Sequence, residues 1–380
     1  MKKKEKNDIF AESLSMPNLI YEAIYRINVR HNLSESESFH VFREVLSIFD
    51  NVERGTQMGI LLNGLMAKHP TVEEVVGFIK AALSIDGIDL TKLRHLNLGG
   101  NKKIIAVAGS GKKGIKTTNI SSCASIVAAS LGAYVAKTCS SSTSSICGSS
   151  DFIKYVGANI DIPFKKMTDV LKKTGLGFFK IENRIKKFDS LYGGKFFAPH
   201  ILSFGLAGLL LPFKPDILLY GLSHPNVDLS VRVFNHLGYK NAMIVSTTDN
   251  GIHFLDEVGV FGSTSIVGII DGVIGNVKTI QPGNILRLPR YDRTSICPGF
   301  NETDNVRKSI QSLLGKEGGA IEDMICVNAA TILYLAGKVK NITEGYEKSK
   351  NSIRSGKAIK TLEKFILATG GDVEKLRKFQ

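Results

Sequence analysis

The sequence predicts an α/β fold, with a small helical N-terminal domain followed by a larger domain whose mostly parallel central sheet is flanked by helices. Three observations predict this fold. Apolar residues recur at helical spacing over roughly the first hundred positions. Near Gly99 the pattern changes to a short strand, a glycine loop and a helix. Beyond that point apolar strands alternate with helices, which is typical of a largely parallel sheet.

Length and composition exclude several classes of protein. A chain of 380 residues with 43% apolar and 22% charged residues can bury a substantial core and is unlike a disordered chain. The apolar run 201–212 is too short for a membrane span and the N-terminus lacks a signal-peptide core, so we expect a cytoplasmic protein. Five cysteines without a C-x-x-C pair predict reduced thiols, and a net charge of +14 predicts anionic ligands or partners.

Two capping boxes mark helix starts in the N-terminal region. Ser34 precedes Glu37, and Thr71 precedes Glu74, at the spacing that lets a hydroxyl and a carboxylate bind each other's backbone N–H groups. An apolar stripe at helical period follows each box. The segment 58–66 between them is apolar nearly all round, which indicates either a helix buried on most sides or a subunit interface.

The second domain begins with a predicted strand at 103–108 that leads directly into a glycine loop at 109–114. From 301 onward the pattern is mostly helical. The other predicted elements are helices at 119–131 and 227–237 and strands at 133–137, 216–222, 242–246 and 265–270.

The glycine loop is suited to binding an anion. Gly109, Gly111 and Gly114 have dinucleotide-binding spacing, but no acidic residue follows about 20 positions later, which argues against a nicotinamide site. Glycines let the backbone approach phosphate closely, and Lys112, Lys113 and Lys116 add positive charge. A tight turn with solvated lysines is the alternative. Hydroxyl-rich segments at 117–122 and 140–145 can bind phosphate, ribose or magnesium, or can serve only as caps and turns.

These segments resemble a known family. The stretches 107–122, 135–137, 144–145 and 148–157 are similar to the phosphoribosyl-diphosphate-binding region of anthranilate phosphoribosyltransferases. Further similar segments follow in the same order along the chain. They are Phe196-Phe-Ala-Pro-His200, Leu255-Asp-Glu-Val258 with Gly262-Ser-Thr-Ser265, and Asn328 to Gly337 with Gly345 and Ser355-Gly-Lys-Ala358.

The resemblance implies an architecture like that of nucleoside phosphorylases and phosphoribosyltransferases. A helical domain at 1–98, completed by helices from about 188–212, would be joined by hinges to an α/β domain at 99–380. The donor, 5-phosphoribosyl 1-diphosphate (PRPP), would bind between them. The resemblance also implies a homodimer formed through the helical domain.

The same resemblance assigns roles to residues. The loop glycines would hold the diphosphate, Asn119 and Ser121 would contact ribose, phosphate or magnesium, and Lys137 would neutralise phosphate charge. Adjacent carboxylates on a loop suit Mg²⁺, although an isolated pair is more often solvated. The predicted residues are Lys137 and His200 for catalysis; Gly109, Ser110, Gly111, Lys112, Lys113, Gly114, Thr118, Asn119, Ser121, Lys137, Ser140, Ser144 and Ser145 for the donor; and Ser121, Asp256 and Glu257 for metal.

Three departures from the family pattern bear on function. The loop lacks the family's acidic residue and carries Lys112 and Lys113, which suggests that one of them supplies charge that a metal supplies elsewhere. Thr138, Ser140 and Ser141 stand where the family has His, Asn and Arg. The run 201–212 lacks the arginine that would clamp the anthranilate carboxylate, and no other residue in the run offers that planar fork.

We therefore expect a magnesium-dependent glycosyltransferase that moves ribose 5-phosphate from PRPP to an aromatic or heteroaromatic acceptor other than anthranilate, releasing diphosphate. His200 is the polar residue nearest in sequence for an acceptor role, or an ordinary hydrogen-bonded histidine. Two alternatives stay open. One is a nucleoside phosphorylase, and the other is a non-catalytic paralogue whose basic interdomain groove binds nucleic acid.

Overall fold

The computed structural model describes residues 18–141, 146–193 and 196–380. The N-terminal part is helical, as predicted, and both capping boxes are formed, by Ser34 with Glu37 and by Thr71 with Glu74. The segment 58–66 lies within one helix that buries an apolar face and leaves Ile60 45% exposed on the other. The four helices are α1 (Leu19–Asn28), α2 (Glu35–Ser47), α3 (Asn51–Lys68) and α4 (Val72–Ile85).

A buried ion pair holds these helices together. The ammonium group of Lys68, at the end of α3, lies 2.9 Å from Oε2 of Glu74 in the first turn of α4. The other carboxylate oxygen of Glu74 accepts a hydrogen bond from the backbone N–H of Leu33, before α2. Glu74 thus connects the end of α3, the start of α4 and the segment before α2. Because its carboxylate is fully buried, these partners must replace the hydration that it loses on folding.

One eight-stranded sheet forms the centre of the larger domain, in the order β3-β2-β1-β4-β5-β6-β7, with β8 paired to β6. The first five strands of this order are parallel, whereas β6 pairs antiparallel with β5, β7 and β8. The mostly parallel sheet is thus confirmed. Its strands are β1 (Ile104–Gly109), β2 (Tyr134–Cys139), β3 (Leu176–Lys180), β4 (Ile217–Gly221), β5 (Ala242–Thr248), β6 (Ser263–Ile270), β7 (Val273–Ile274) and β8 (Lys278–Ile280).

Helices flank this sheet and fill the C-terminal region. The helix after β1 is buried along nearly its whole length and packs against the long C-terminal helix that begins at Gly319. The helices are α5 (Ile120–Ser130), α6 (Ser149–Tyr155), α7 (Phe164–Thr174), α8 (Lys186–Tyr192), α9 (Val227–His236), α10 (Pro282–Ile285), α11 (Glu302–Leu313), α12 (Gly319–Leu335), α13 (Ile342–Arg354), α14 (Lys357–Ala368) and α15 (Glu374–Arg377).

The segment after β3 returns to the N-terminal helices. The carboxylate of Asp86, just after α4, accepts hydrogen bonds of 2.9 Å from the backbone N–H groups of Lys187 and Phe188 in α8. Two short 3-10 helices, Ile201–Phe204 and Leu206–Leu209, then lead back to β4, and the first of them also contacts α4. These contacts support the proposal that segment 188–212 completes a helical domain that extends to residue 98.

None of the helices in the described ranges is both long and apolar enough to cross a membrane. All five cysteines lie in the described ranges, and none of them is paired with another. Four are buried and Cys297 is exposed.

Candidate active site

The candidate site lies where the strand order of the sheet reverses. Strands β1 and β4 are neighbours, and the chain proceeds outward from them in opposite directions, through β2 and β3 on one side and β5 on the other. Gly109 at the end of β1 is paired in register with Gly221 at the end of β4. A crevice at the carboxyl ends of such strands is the usual ligand site of open α/β sheets. Here it contains a cavity of about 270 Å³.

The glycine loop forms one wall of this cavity and is fixed at three points. The backbone N–H of Ser110 donates to the carbonyl of Gly221 at 2.8 Å, and Ser110 Oγ accepts from the N–H of Ser223 at 2.9 Å. The N–H of Gly114 donates to the carbonyl of Phe254 at 3.0 Å. Between these points the backbone turns through positive φ, +64° at Gly111 and +53° at Lys112. Because of this turn, the consecutive lysines 112 and 113 reach different surroundings.

The start of α5 forms the floor. Thr118 is buried, and its hydroxyl has no hydrogen-bond partner within the described residues. Asn119 also lines the cavity, but its side-chain amide donates to the carbonyls of Cys147 and Gly148, and its oxygen accepts from Asn305 at 2.8 Å. The Asn119 side chain therefore anchors the following loop in this structure, whereas the hydroxyl of Thr118 has an unused hydrogen-bonding capacity.

Lys137 brings a positive charge to the cavity from β2. Its side chain is buried, and its ammonium group donates to the carbonyl of Thr138 at 3.0 Å. Burial lowers the pKa of Lys137, against the opposing influence of the carboxylates of Asp256 and Glu257. A buried ammonium group with so few partners is suited to an anionic ligand.

Asp256 and Glu257 face the glycine loop and bind Lys113. The ammonium nitrogen of Lys113 lies 2.8 and 2.9 Å from the two carboxylate oxygens of Glu257 and 3.3 Å from Oδ1 of Asp256. Burial acts to lower the pKa of Lys113, but the two carboxylates outweigh burial and raise that pKa. Burial raises the pKa of Glu257 despite the nearby ammonium group. Lys113 therefore supplies a counter-charge to the predicted acidic pair from within the chain.

This arrangement leaves neither oxygen of Glu257 available to a magnesium ion, and of the Asp256 oxygens only Oδ1 forms no hydrogen bond within the described residues. Mg²⁺ needs oxygen atoms at about 2.0–2.1 Å with near-octahedral geometry. Both oxygens of Glu257 are engaged by Lys113, and Oδ2 of Asp256 accepts the N–H of Gly111 at 3.1 Å. Across the described ranges, no group of three or more His, Cys, Asp and Glu side chains forms a metal site.

Lys112 turns to the opposite wall, which is aromatic. Its ammonium group donates to the carbonyl of Phe196 and lies 5.8 Å from the ring centroids of both Tyr192 and Phe196. Burial lowers the pKa of Lys112 to about 8. Beneath it the hydroxyl of Tyr192 is hydrogen-bonded to Nε2 of His200, which is buried and whose other ring nitrogen has no partner among the described residues.

The rest of this wall comes from a single stretch of chain, 181–210, and is mostly apolar, although Glu182, Asp189 and Ser203 also line it. Sequence reasoning identified only His200 there. It missed the stacked rings of Phe188 and Tyr192, with centroids 5.3 Å apart, although their spacing of four residues was a usable helical signal. The apolar residues of this wall are Ile181, Ile185, Phe188, Leu202, Leu206, Ala207 and Leu210.

The family is shown by residues 101–359, which match the model described as "Glycosyl transferase family, a/b domain". The chain belongs to this glycosyl transferase family. Its similarity to curated members extends beyond that domain. The anthranilate phosphoribosyltransferase of Janthinobacterium sp. (strain Marseille) is 28% identical over 363 residues, covering 93% of this chain and 98% of that protein. The enzyme of the same name from Methanocorpusculum labreanum is 28% identical over 357 residues, with 93% and 99% covered.

Solved structures of this glycosyl transferase family share the fold. The anthranilate phosphoribosyltransferase of Thermus thermophilus matches with a TM-score of 0.72 at 20% identity, covering 92% of this chain and 99% of that one. The Saccharomyces cerevisiae enzyme in complex with PRPP and Mg matches with a TM-score of 0.70 at 20% identity, with 93% and 99% covered. The predicted fold class, the family resemblance and the glycosyltransferase class of enzyme are confirmed.

The predicted site residues of this glycosyl transferase converge on the cavity where they are described, except that Gly114 ends the loop without lining it. Ser144 and Ser145 lie outside the described residues. Lys116, which was expected to add positive charge at the loop, and Thr117, from the predicted hydroxyl-rich segment, also line the cavity. The predicted residues that line the cavity are Gly109, Ser110, Gly111, Lys112, Lys113, Thr118, Asn119, Ser121, Lys137, Ser140, His200, Asp256 and Glu257.

Proposed function

We propose that this chain is a phosphoribosyltransferase that binds PRPP at the glycine loop and transfers ribose 5-phosphate to a flat, apolar acceptor. The observation that carries the proposal is the pairing of two different walls in one cavity. One wall offers a glycine turn, an unpartnered Thr118 hydroxyl and the buried ammonium group of Lys137. The other is mostly aromatic and aliphatic, with Glu182 and Asp189 as acidic members. The yeast relative that was solved with PRPP and Mg supports this assignment of the donor.

The chemistry asked of these residues is electrostatic. As diphosphate departs, positive charge develops at the anomeric carbon and negative charge on the leaving oxygens. Lys137 and those loop N–H groups that are not bonded to Gly221, Asp256 or Phe254 stabilise that negative charge, and the packed walls exclude water and hold the acceptor in line. No side chain has to form a covalent bond to the sugar. Lys137 is therefore our proposed catalytic residue on the donor side.

The acceptor wall favours a neutral ring. Burial lowers the pKa of His200 to about 3 and raises that of Tyr192, so both side chains are uncharged near neutral pH. Their mutual hydrogen bond leaves one ring nitrogen of His200 for an acceptor's N–H or lone pair, depending on the tautomer. Within the described residues no arginine lines the cavity. We therefore propose an aromatic or heteroaromatic acceptor other than anthranilate, positioned by His200.

Magnesium is our proposal for the ion that accompanies the phosphates of PRPP, with Ser121 as its predicted contact on the protein. When bound, such an ion would supply positive charge to the departing diphosphate. Its binding is tested by calorimetry with PRPP in Mg²⁺ and in EDTA. The carboxylate pair is treated separately below, because Lys113 already binds it.

We also propose a homodimer through the helical domain. The proposal is supported by a set of large apolar side chains on and beside α1 and α3 that are exposed in the single chain. Sedimentation of the wild type and of Tyr25→Lys tests the dimer, and a wild type that stays monomeric at micromolar concentration contradicts it. The exposed residues are Tyr21, Tyr25, Val29, Phe49, Val52 and Ile60.

One set of measurements distinguishes the proposed function from both alternatives. We expect PRPP to bind with micromolar affinity and a panel of heteroaromatic bases to release diphosphate. Release of free base from nucleosides with phosphate would instead indicate a phosphorylase. Binding of a single-stranded oligonucleotide with a steep salt dependence, and no binding of PRPP, would indicate a nucleic-acid-binding paralogue.

A further inference from the structure

Lys113 stands between two buried carboxylates at the edge of the donor wall. Asp256 is 8% exposed and Glu257 only 3%, so water can hydrate their charges only weakly. Lys113 reaches them from the glycine loop, more than 140 positions earlier in the chain. The pair and its counter-ion therefore fold together as one buried cluster.

The hydrogen-bonding capacity of the Lys113 ammonium group is fully used inside this cluster. Its three N–H donors form hydrogen bonds to three oxygens: the two carboxylate oxygens of Glu257, at 2.8 and 2.9 Å, and the hydroxyl of Thr117, at 3.2 Å. Oδ1 of Asp256 lies 3.3 Å from the same nitrogen and forms no hydrogen bond within the described residues. The neighbouring Lys112 makes none of these contacts and turns to Phe196 instead. Of the two candidate lysines in the loop, the geometry thus selects Lys113 as the one that meets the carboxylates.

A divalent ion and this ammonium group would compete for the carboxylate of Glu257. Both need the same oxygens of Glu257, and two cations at such a distance repel each other strongly in a buried site. Without any cation, Asp256 and Glu257 would present two negative charges to an incoming diphosphate. Some positive charge must therefore reside on the pair before an anionic donor enters the cavity.

We propose that Lys113 is the resident cation of the Asp256–Glu257 pair and takes the place of a divalent ion there. This inference rests on the proposed donor-binding function. Lys113 acts as a positioning residue: it supplies a counter-charge to the two carboxylates, and the Asp256 carboxylate holds the glycine loop by accepting the N–H of Gly111. The pair then needs no metal, whatever ion accompanies the donor.

Manganese binding tests this directly, with free Mn²⁺ measured by electron paramagnetic resonance in the absence of donor. We expect the wild type to show no Mn²⁺ site that depends on Glu257. We expect Lys113→Ala to gain one site about tenfold or more tighter than any wild-type site, and Lys113→Ala/Glu257→Gln to lose it. The matched control Lys112→Ala should show the Mn²⁺ binding of the wild type. A wild-type Mn²⁺ site that disappears in Glu257→Gln would overturn the proposal.

Two further measurements distinguish a failure of the Lys113 proposal from misfolding of the variant and from a failure of the proposed function. Circular dichroism establishes that Lys113→Ala is folded; if it is not, the comparison of wild type with Glu257→Gln decides alone. Calorimetry with PRPP then compares EDTA with Mg²⁺. We expect removal of metal to weaken binding at least about tenfold more in Lys113→Ala than in the wild type, and equal losses count against the inference. Failure of PRPP to bind under any condition rejects the proposed function, while the Mn²⁺ result still decides the role of Lys113.

Discussion

The carbonyl oxygen of Asp256 packs against the Cα atom of Gly221, so closely that a Cβ atom at position 221 would lie 1.7 Å from that oxygen. Gly109, its partner in register on β1, faces the Asp256 carboxylate in the same way, with 2.4 Å to Oδ2. Two strand ends without side chains thus admit the acidic loop to the edge of the sheet. The position of the carboxylate pair depends on both glycines.

Replacing Gly221 with alanine should therefore displace the acidic loop. We expect Gly221→Ala to lower the free energy of unfolding by about 1–3 kcal/mol and to weaken PRPP binding, because the backbone of Asp256 must move away from β4. Urea denaturation and calorimetry measure the two effects. The control is Gly59→Ala, where an added Cβ meets nothing within 4 Å and a helical glycine is removed. Equal stability of the two variants would contradict the packing described here.

Lys137→Met separates binding from stability. Methionine keeps most of the side-chain volume but removes the buried ammonium group, whose pKa burial already lowers. We expect the affinity for PRPP to fall about 100-fold, which corresponds to one lost charge-assisted interaction. The midpoint of urea unfolding should stay the same or rise, because a desolvated charge is no longer buried. Calorimetry and denaturation measure these effects; an unchanged affinity would remove Lys137 from the donor site.

The protonation of Lys112 should make donor binding sensitive to mildly alkaline pH. Burial lowers its pKa in the folded protein from an ordinary 10.5 to about 8, so the side chain is charged below pH 8 and becomes neutral above it. The affinity for PRPP should therefore fall as pH rises from about 7.5 to about 9.5. Calorimetry at several pH values should show a smaller fall in Lys112→Met, and a fall as steep as that of the wild type would contradict this role.

The lowered pKa of Lys112 affects folding stability in the opposite direction from donor affinity as pH rises. Between pH 8 and 10.5 the unfolded chain retains the Lys112 proton while the folded chain releases it, so the contribution of this group to folding stability increases with pH. Comparison of the urea midpoints of wild type and Lys112→Met across this range isolates the contribution. Lys112→Arg, which keeps its charge, is the control for binding at high pH.

The ion pair between Lys68 and Glu74 should dominate the stability of the N-terminal helices. Lys68→Met leaves the buried carboxylate of Glu74 without its counter-charge, so we expect a loss of about 3–5 kcal/mol in the free energy of unfolding. The exposed pair Lys80–Glu35 is the matched control, and Lys80→Met should change stability by less than about 1 kcal/mol. Urea denaturation compares them. Similar losses in both variants would mean that burial of the pair is unimportant.

Local signals in the sequence predicted the fold well. The strand predicted at 216–222 is Ile217–Gly221, and the helix predicted at 227–237 is Val227–His236. Both predictions succeed because the apolar pattern and the capping residues that determine an element lie inside it or next to it in the sequence. The antiparallel pairing of β6 was not predictable in this way. An apolar strand looks the same in either direction, and only its partners determine its orientation.

The site was predictable as a set of residues but not as a set of contacts. The motifs placed Lys112 and Lys113 near a phosphate, yet they left open which of them meets the carboxylates. That choice depends on the positive φ of Lys112 and on Glu257, which lies far along the chain. The bond between Tyr192 and His200 was missed because it forms between a helix and a loop whose relative position no local pattern specifies.

The aromatic wall of the cavity comes from one continuous stretch, 181–210, while the charged wall is assembled from loops that follow β1, β2 and β5. Selectivity and reactivity are consequently encoded in separable parts of the gene. Grafting that single stretch between homologues is a way to exchange the recognised nucleophile while the sugar-activating machinery stays intact, which makes this scaffold a practical starting point for directed evolution.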